Sequence, residues 1–141
     1  TRAGMAVACQ KQGLLPLNQI SLQFYNRLAY HDYEGIALDL DERPRLVASL
    51  GDKRSMILIN HGLLTAGRTI PEAFSLMFYL ERACEVQIAA LAGGSELVIP
   101  SPEVCEKTAR QSEHENDAPL GDEEWAAHIR ALDREDASYR N

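Results

Sequence analysis

The stretch from Thr69 to Gly94 constrains the fold more than any other, because it predicts one long helix. Thr69 and Glu72 have the spacing of a capping box, in which the two residues bind backbone N–H groups at a helix start. Apolar residues then recur at helical spacing, namely Ile70, Ala73, Phe74, Met77, Cys84, Ile88 and Leu91. A helix of about six turns with so wide an apolar face must be covered by other layers. We expect part of it, together with Trp125, to contact a neighbouring subunit.

The stretch SMILINHGLLTAG, residues 55–67, predicts two consecutive strands. Residues 56–60 form an apolar run typical of a buried strand, and residues 62–67 continue it after a bend at His61 and Gly62. An imidazole and a residue without a side chain thus interrupt the best strand pattern in the chain. This interruption makes Asn60, His61 and Gly62 candidates for a functional site.

The rest of the chain alternates further strands and helices. Ile20, Leu22 and Phe24 alternate with polar residues, which predicts a strand, and residues 28–30 predict a second short strand. Four more helices are predicted from capping residues and glycines: from Ala3 to Gln12, from Asp41 to Gly51, from Ser101 onward, and from Asp122 to Asp136. Strands that alternate with helices favour a mixed α/β layer architecture.

Size and composition fit one domain over residues 1–141, with a helical tail from about residue 101. Fourteen basic and 21 acidic residues give a net charge of −7, which speaks against a nucleic-acid partner because such binding depends on Lys and Arg. Three widely spaced cysteines form neither a disulfide framework nor a C-x-x-C metal motif. This cysteine pattern fits a reducing, cytoplasmic setting. No membrane span or signal peptide is visible.

Among the four histidines, His61 has the surroundings most typical of a site. Imidazole is the commonest protein ligand for metals, and the adjacent glycine lets an ion or substrate approach the backbone. Spacing alone supplies only one ligand, however, and a turn histidine satisfied by the backbone is the more frequent role. His31 is expected to form local hydrogen bonds in a turn, with a site role as the less frequent alternative, and His114 and His128 are expected to be solvated.

Other reactive side chains have simpler structural roles. Cys84 lies on the apolar stripe of the long helix and is expected in the core. Carboxylates on helix faces, such as Glu81 in the stretch ERAC, are expected to be solvated. The tyrosines are expected to cover a sheet face: Tyr25, Tyr30 and Tyr33. The catalytic residue is therefore unknown from the sequence.

Five stretches together resemble the class II aldolase/adducin family. They are RAGMAVACQKQGLLPLNQISL, AYHDYEGIA, ERPRLVASLGDK, ILINHGLLTAGRTIPEAF and YLERACEVQIAALAGG, and they cover about residues 1–94, two-thirds of the chain. The elements GLLPL, YEG, NHGLL and ACE-x-Q recur in the family as a set. The pattern is most similar to the adducin-head-like bacterial branch.

The resemblance implies a three-layer α/β/α sandwich with a central mixed or mainly antiparallel sheet, assembled as a homotetramer. It also implies a divalent ion, commonly zinc, bound by three histidines, the third of which matches His61. Asn60 and Gly62 beside it are then expected to contact a small hydroxy-carbonyl substrate. The other two histidines form an H-x-H pair that we expect just before Thr1, so we expect the domain to be incomplete at its N-terminus.

Two functions follow from the resemblance. The first is a metal-dependent aldolase-type lyase, impaired in this chain because the H-x-H ligands are absent from it. The second is a non-catalytic oligomerisation or interaction domain, as in the adducin heads of cytoskeletal proteins.

Overall fold

The computed structural model describes residues 1–36, 40–113 and 120–140. A mixed sheet of three strands lies at the centre of this part of the chain. Strand β1 (Leu28–His31) runs parallel to β2 (Ser55–Leu58), with His31 opposite Leu58. Strand β3 (Gly62–Thr65) returns antiparallel to β2, with Gly62 opposite Leu58. The end of β1, the end of β2 and the start of β3 therefore meet at one edge of the sheet.

Helices cover both faces of this sheet. Helix α1 (Arg2–Ala8) and helix α4 (Ile70–Ala92) pack on one face, where Val7, Ile57 and Leu80 belong to one buried cluster. Helix α3 (Glu42–Leu50) connects β1 to β2 and packs against β1. The side chain of His31 points toward α3, because its Nδ1 lies 2.9 Å from Ser49 Oγ. The predicted α/β/α layering is confirmed, and its sheet is mixed.

The strand predicted at Ile20, Leu22 and Phe24 is wrong, since residues Gln19–Leu22 form a short helix, α2. Asn18 caps this helix by accepting hydrogen bonds from the N–H groups of Ile20 and Ser21. The Ser21 hydroxyl in turn accepts from the N–H of Asn18, which completes a capping box. This local pairing outweighs the alternation of apolar residues. Leu22 is buried at the end of the helix, and Phe24 is buried in the turn that follows it.

The long helix is confirmed as α4, 23 residues from Ile70 to Ala92, with the Thr69 side chain accepting from the N–H of Glu72. Its predicted apolar face is only partly correct. Cys84 is fully buried, whereas Ile70 is 73% exposed and Phe74 is 39% exposed. Glu72 is 1% exposed, and it pairs with Arg54 and Arg68 instead of binding the N–H of the cap residue.

Two helices complete the described chain. Helix α5 (Pro102–Ser112) begins after Ser101, whose side chain caps it as predicted. Helix α6 (Asp122–Glu135) packs on α4, with the rings of Trp125 and Phe74 edge to face at 5.2 Å. A short 3-10 turn follows at Ser138–Arg140, and no helix in the described ranges is long and apolar enough to cross a membrane.

Candidate functional site

The Asn60–His61–Gly62 turn joins β2 to β3 at the sheet edge where β1 also ends. Asn60 has a φ of 57°, a left-handed backbone that asparagine tolerates better than most residues. Its N–H donates to the carbonyl of Ala8 at 2.9 Å, which fixes the turn to the end of α1. The N–H of His61 donates to the carbonyl of Leu58 at 3.0 Å, which closes the hairpin. The turn is thus held by its backbone from two sides.

The side chains of Asn60 and His61 are exposed, while Gly62 is buried. Gly62 has a φ of 156°, which disfavours a side chain, although a Cβ there would meet only Met5 Cγ at 3.7 Å. The imidazole of His61 is therefore presented outward from a rigid turn. That geometry is compatible with the predicted ligand role, and the role itself stays a prediction.

A complete metal site cannot be built on His61 from the residues that the structure describes. Within the described residues, His31, Glu34 and Glu42 form a group of three potential metal ligands. His61 does not belong to that group. A zinc site needs three or four ligands, so one exposed imidazole does not satisfy it. Further ligands for an ion at His61 would have to come from outside the described residues.

His31, for which the sequence predicts a local hydrogen bond in a turn, has a different role at the same sheet edge. Its ring is 6% exposed and faces Glu42 and Glu34, with Nε2 at 3.6 Å from Glu42 Oε1 and 3.9 Å from Glu34 Oε1. Hydrogen bonds from the Arg45 guanidinium hold the pKa of the Glu34 carboxyl below its usual value. The carbonyl of His31 accepts from the N–H of Ile59, which connects this cluster to the His61 turn.

Sequence spacing contains only part of the signal for this cluster. His31 ends β1 and Glu34 follows three residues later in the loop, but Glu42 joins them only because α3 folds back onto β1. The fold also decides which other candidates are excluded. His128 is exposed on α6 and packs edge to face on Phe74, and His114 lies outside the described residues.

Cys84 and Tyr30 are structural. Burial first, and then the charges of nearby Glu81 and Glu85, raise the pKa of the Cys84 thiol to about 12, so it is an unreactive core residue, as predicted. Burial raises the pKa of Tyr30, and its hydroxyl accepts from the N–H of Leu14 at 3.1 Å. Neither side chain lies in the group formed by His31 and its two glutamates.

The expectation that carboxylates on helix faces are solvated is wrong for Glu81. It accepts the N–H groups of Ala3 at 3.0 Å and Gly4 at 2.7 Å, in the first turn of α1. Burial raises its pKa, but hydrogen bonds from Thr1, Ala3 and Gly4 outweigh that effect and lower it. Glu81 therefore fixes the start of the helix whose far end supports the His61 turn.

Comparison with known proteins shows which proteins this chain resembles. The family model described as the Class II Aldolase and Adducin N-terminal domain matches residues 1–88. A Caulobacter vibrioides protein provisionally named an aldolase class 2 protein is 46% identical over 136 residues, 96% of this chain and 53% of that protein. Alpha-adducin of Rattus norvegicus is 37% identical over 145 residues, 94% of this chain and 20% of its own length.

Two solved structures extend the comparison. An aldolase II superfamily protein from Pseudomonas syringae has 51% sequence identity to this chain and a TM-score of 0.92. The match covers 100% of this chain and 57% of the Pseudomonas syringae chain. L-fuculose 1-phosphate aldolase from Glaciozyma antarctica has 26% sequence identity to this chain and a TM-score of 0.75. The match covers 94% of this chain and 50% of the aldolase chain. The chain thus spans about half the length of its bacterial relatives.

Proposed function

Because the chain belongs to the class II aldolase and adducin family, we propose that the whole protein is an aldolase-type lyase that cleaves a C–C bond in a small hydroxy-carbonyl compound. The observation that carries the proposal is the exposed imidazole of His61 on a turn held rigid by α1 and β2. The likeness to L-fuculose 1-phosphate aldolase supports the reaction class and suggests phosphorylated substrates.

Class II aldolases generally depend on a divalent metal ion, and we propose zinc, with His61 as one ligand. Since no group of three potential ligands within the described residues includes His61, further ligands are expected elsewhere in the whole protein. In this proposal the exposed amide of Asn60 donates to a substrate oxygen. Gly62, which is buried next to His61, adds no side chain beside the imidazole.

Two exposed histidines provide a matched test. The complete gene product is assayed for aldehyde release from L-fuculose 1-phosphate and related hydroxy-carbonyl phosphates, before and after treatment with a chelator. We expect His61→Ala to lower kcat/KM on the order of 100-fold or more and to lower bound zinc. His128→Ala, at an exposed histidine of α6 that packs on Phe74, should change neither. Cleavage that survives both the chelator and His61→Ala would contradict the proposal.

We propose further that the protein is a cytoplasmic homo-oligomer, a tetramer by the family pattern, and that α4 contributes to its interface. Ile70 is 73% exposed and Phe78 is 43% exposed on that helix, although α6 already covers part of Phe74 through Trp125. Light scattering of the complete gene product at micromolar concentration measures the assembly. A clean monomer would contradict this part of the proposal.

The alternative is a non-catalytic oligomerisation domain of adducin type. It is favoured by the identity to alpha-adducin and by the fact that, among the described residues, no group of three potential ligands includes His61. Under this alternative, the His61→Ala variant has the same assembly and the same metal content as the unmutated protein, and it treats every assayed substrate in the same way. The same set of variants therefore separates the two functions.

A further inference from the structure

The second ring nitrogen of His31 is buried without a hydrogen-bond partner. The side chain is 6% exposed, and its Nδ1 lies 2.9 Å from Ser49 Oγ, which fixes the ring against α3. Nε2 has no hydrogen-bond partner within the described ranges. Since the large majority of buried polar side-chain atoms are paired, this orphaned atom needs an explanation.

Two carboxylates face this nitrogen at distances too long for hydrogen bonds. Nε2 is 3.6 Å from Glu42 Oε1 and 3.9 Å from Glu34 Oε1, whereas an N–H···O bond spans about 2.7–3.2 Å. A proton on Nε2 would therefore bind neither oxygen well. One potential ligand atom from each of His31, Glu34 and Glu42 lies within 4.8 Å of the other two, so the three side chains surround one small volume.

A divalent cation fits that volume better than a proton does. Two donors about 2.1 Å from one ion are about 3.4 Å apart at the tetrahedral angle. The observed separations of 3.6 and 3.9 Å come close to this with shifts of a few tenths of an ångström. We propose that His31, Glu34 and Glu42 bind a divalent ion of the zinc–manganese type, with water completing its coordination.

The surrounding charges set the expected strength of this site. Arg45 donates to Glu34 Oε1 at 3.0 Å and to Glu34 Oε2 at 2.9 Å, so it orients the carboxylate and adds one positive charge nearby. Ser49 orients the imidazole in the same way. Two carboxylates beside one guanidinium leave a charge of −1 for the ion, so Arg45 weakens the attraction for a cation relative to the two carboxylates alone.

The ion would join three parts of the crossover between β1 and β2. His31 ends β1, Glu34 follows in the loop, and Glu42 lies in the first turn of α3. The His31 carbonyl also binds the N–H of Ile59, next to the turn that carries His61. The ion would thus brace the sheet edge that presents His61, and the inference does not rest on the proposed lyase activity.

Zinc binding separates this site from any ion at His61. The complete gene product carrying His61→Ala is stripped with a chelator and dialysed against Zn²⁺, and bound zinc and the Tm are measured. We expect one zinc ion per chain and a zinc-dependent rise in Tm. Adding Glu42→Gln, which preserves volume, should weaken this binding on the order of 100-fold and abolish the rise in Tm.

Two further variants sharpen the result. Ser49→Ala should weaken zinc binding about 10-fold to 100-fold by releasing the ring, and Asp32→Asn, an exposed acid in the same loop, should leave it unchanged. Failure of the His61→Ala protein to bind zinc at 100-fold excess, or equal binding by the Glu42→Gln variant, would overturn the proposal. Absent lyase activity in the unmutated protein would refute only the proposed function.

Discussion

Replacing Gln87 with methionine removes three hydrogen bonds from the interior while keeping the side chain about the same length. Gln87 is completely buried on α4. Its Oε1 accepts from the N–H of Leu15 at 2.7 Å, and its Nε2 donates to Gly13 O at 2.8 Å and to Gln10 Oε1 at 2.7 Å. These bonds fix the segment between α1 and α2 against α4.

The cost of Gln87→Met follows from these contacts. Each bond contributes about 1 kcal/mol net, so their loss lowers the free energy of unfolding by about 3 kcal/mol. The apolar methionine recovers part of this by burial, but the N–H of Leu15 and the carbonyl of Gly13 lose their partner. We therefore expect a net loss of about 2–4 kcal/mol.

Urea denaturation followed by far-ultraviolet circular dichroism measures this loss, with the m-value held common to both proteins. Gln111→Met on the exposed face of α5 is the matched control and should stay within about 0.5 kcal/mol of the unmutated protein. Hydrogen exchange at the Leu15 amide should accelerate in Gln87→Met under native conditions. A loss below about 1 kcal/mol, or unchanged protection of that amide, would refute the claim that the hydrogen bonds of Gln87 fix the segment between α1 and α2 against α4.

Three further outcomes are expected. Glu81→Gln should lower the free energy of unfolding by about 1–2 kcal/mol near neutral pH, because two charge-assisted bonds to α1 are weakened. Since folding lowers the pKa of Glu81, that difference is complete above pH 4.5 and disappears as pH falls through the lowered pKa; a pH-independent difference would contradict it. Arg27, just before β1, donates to Glu106 on α5 at 2.7 Å. This bond first, and then that from Arg110, lowers the pKa of Glu106 from 4.5 to about 2, so α5 should lose its ion pair with Arg27 only as pH falls from 4.5 toward 2. Hydrogen exchange in residues 102–112 across that range measures the release, and Arg27→Met, which removes the ion pair, should raise exchange there at neutral pH and remove most of its pH dependence. With a thiol reagent, Cys9 alone of the three cysteines should react in the native protein, and rapid labelling of a second thiol would contradict the packing.

Local sequence signals determined most of the helices. Thr69 and Ser101 cap α4 and α5 because a cap depends on a hydroxyl and an N–H three residues away in the chain. The same rule explains the error at residues 20–24. Asn18 and Ser21 form a cap of the same kind, and it prevailed over an alternation of apolar side chains.

The sequence also singled out the His61 turn, because a polar interruption of an apolar run is visible without a fold. Its bend between two strands is confirmed, and Asn60 adopts the left-handed backbone that makes the bend possible. The spacing could not show that Ala8 of α1 holds this turn in place, because that contact joins residues far apart in the chain.

Only the tertiary structure decided the roles of Glu81, Gln87 and the His31 cluster. Glu81 binds N–H groups 77 and 78 residues away, and Gln87 binds partners 72 to 77 residues away. Glu42 reaches His31 only after α3 folds back onto β1. The sequence alone determined the local caps and turns. Buried polar contacts depend on which distant segments meet, and it was the packing of helices on the sheet that selected them.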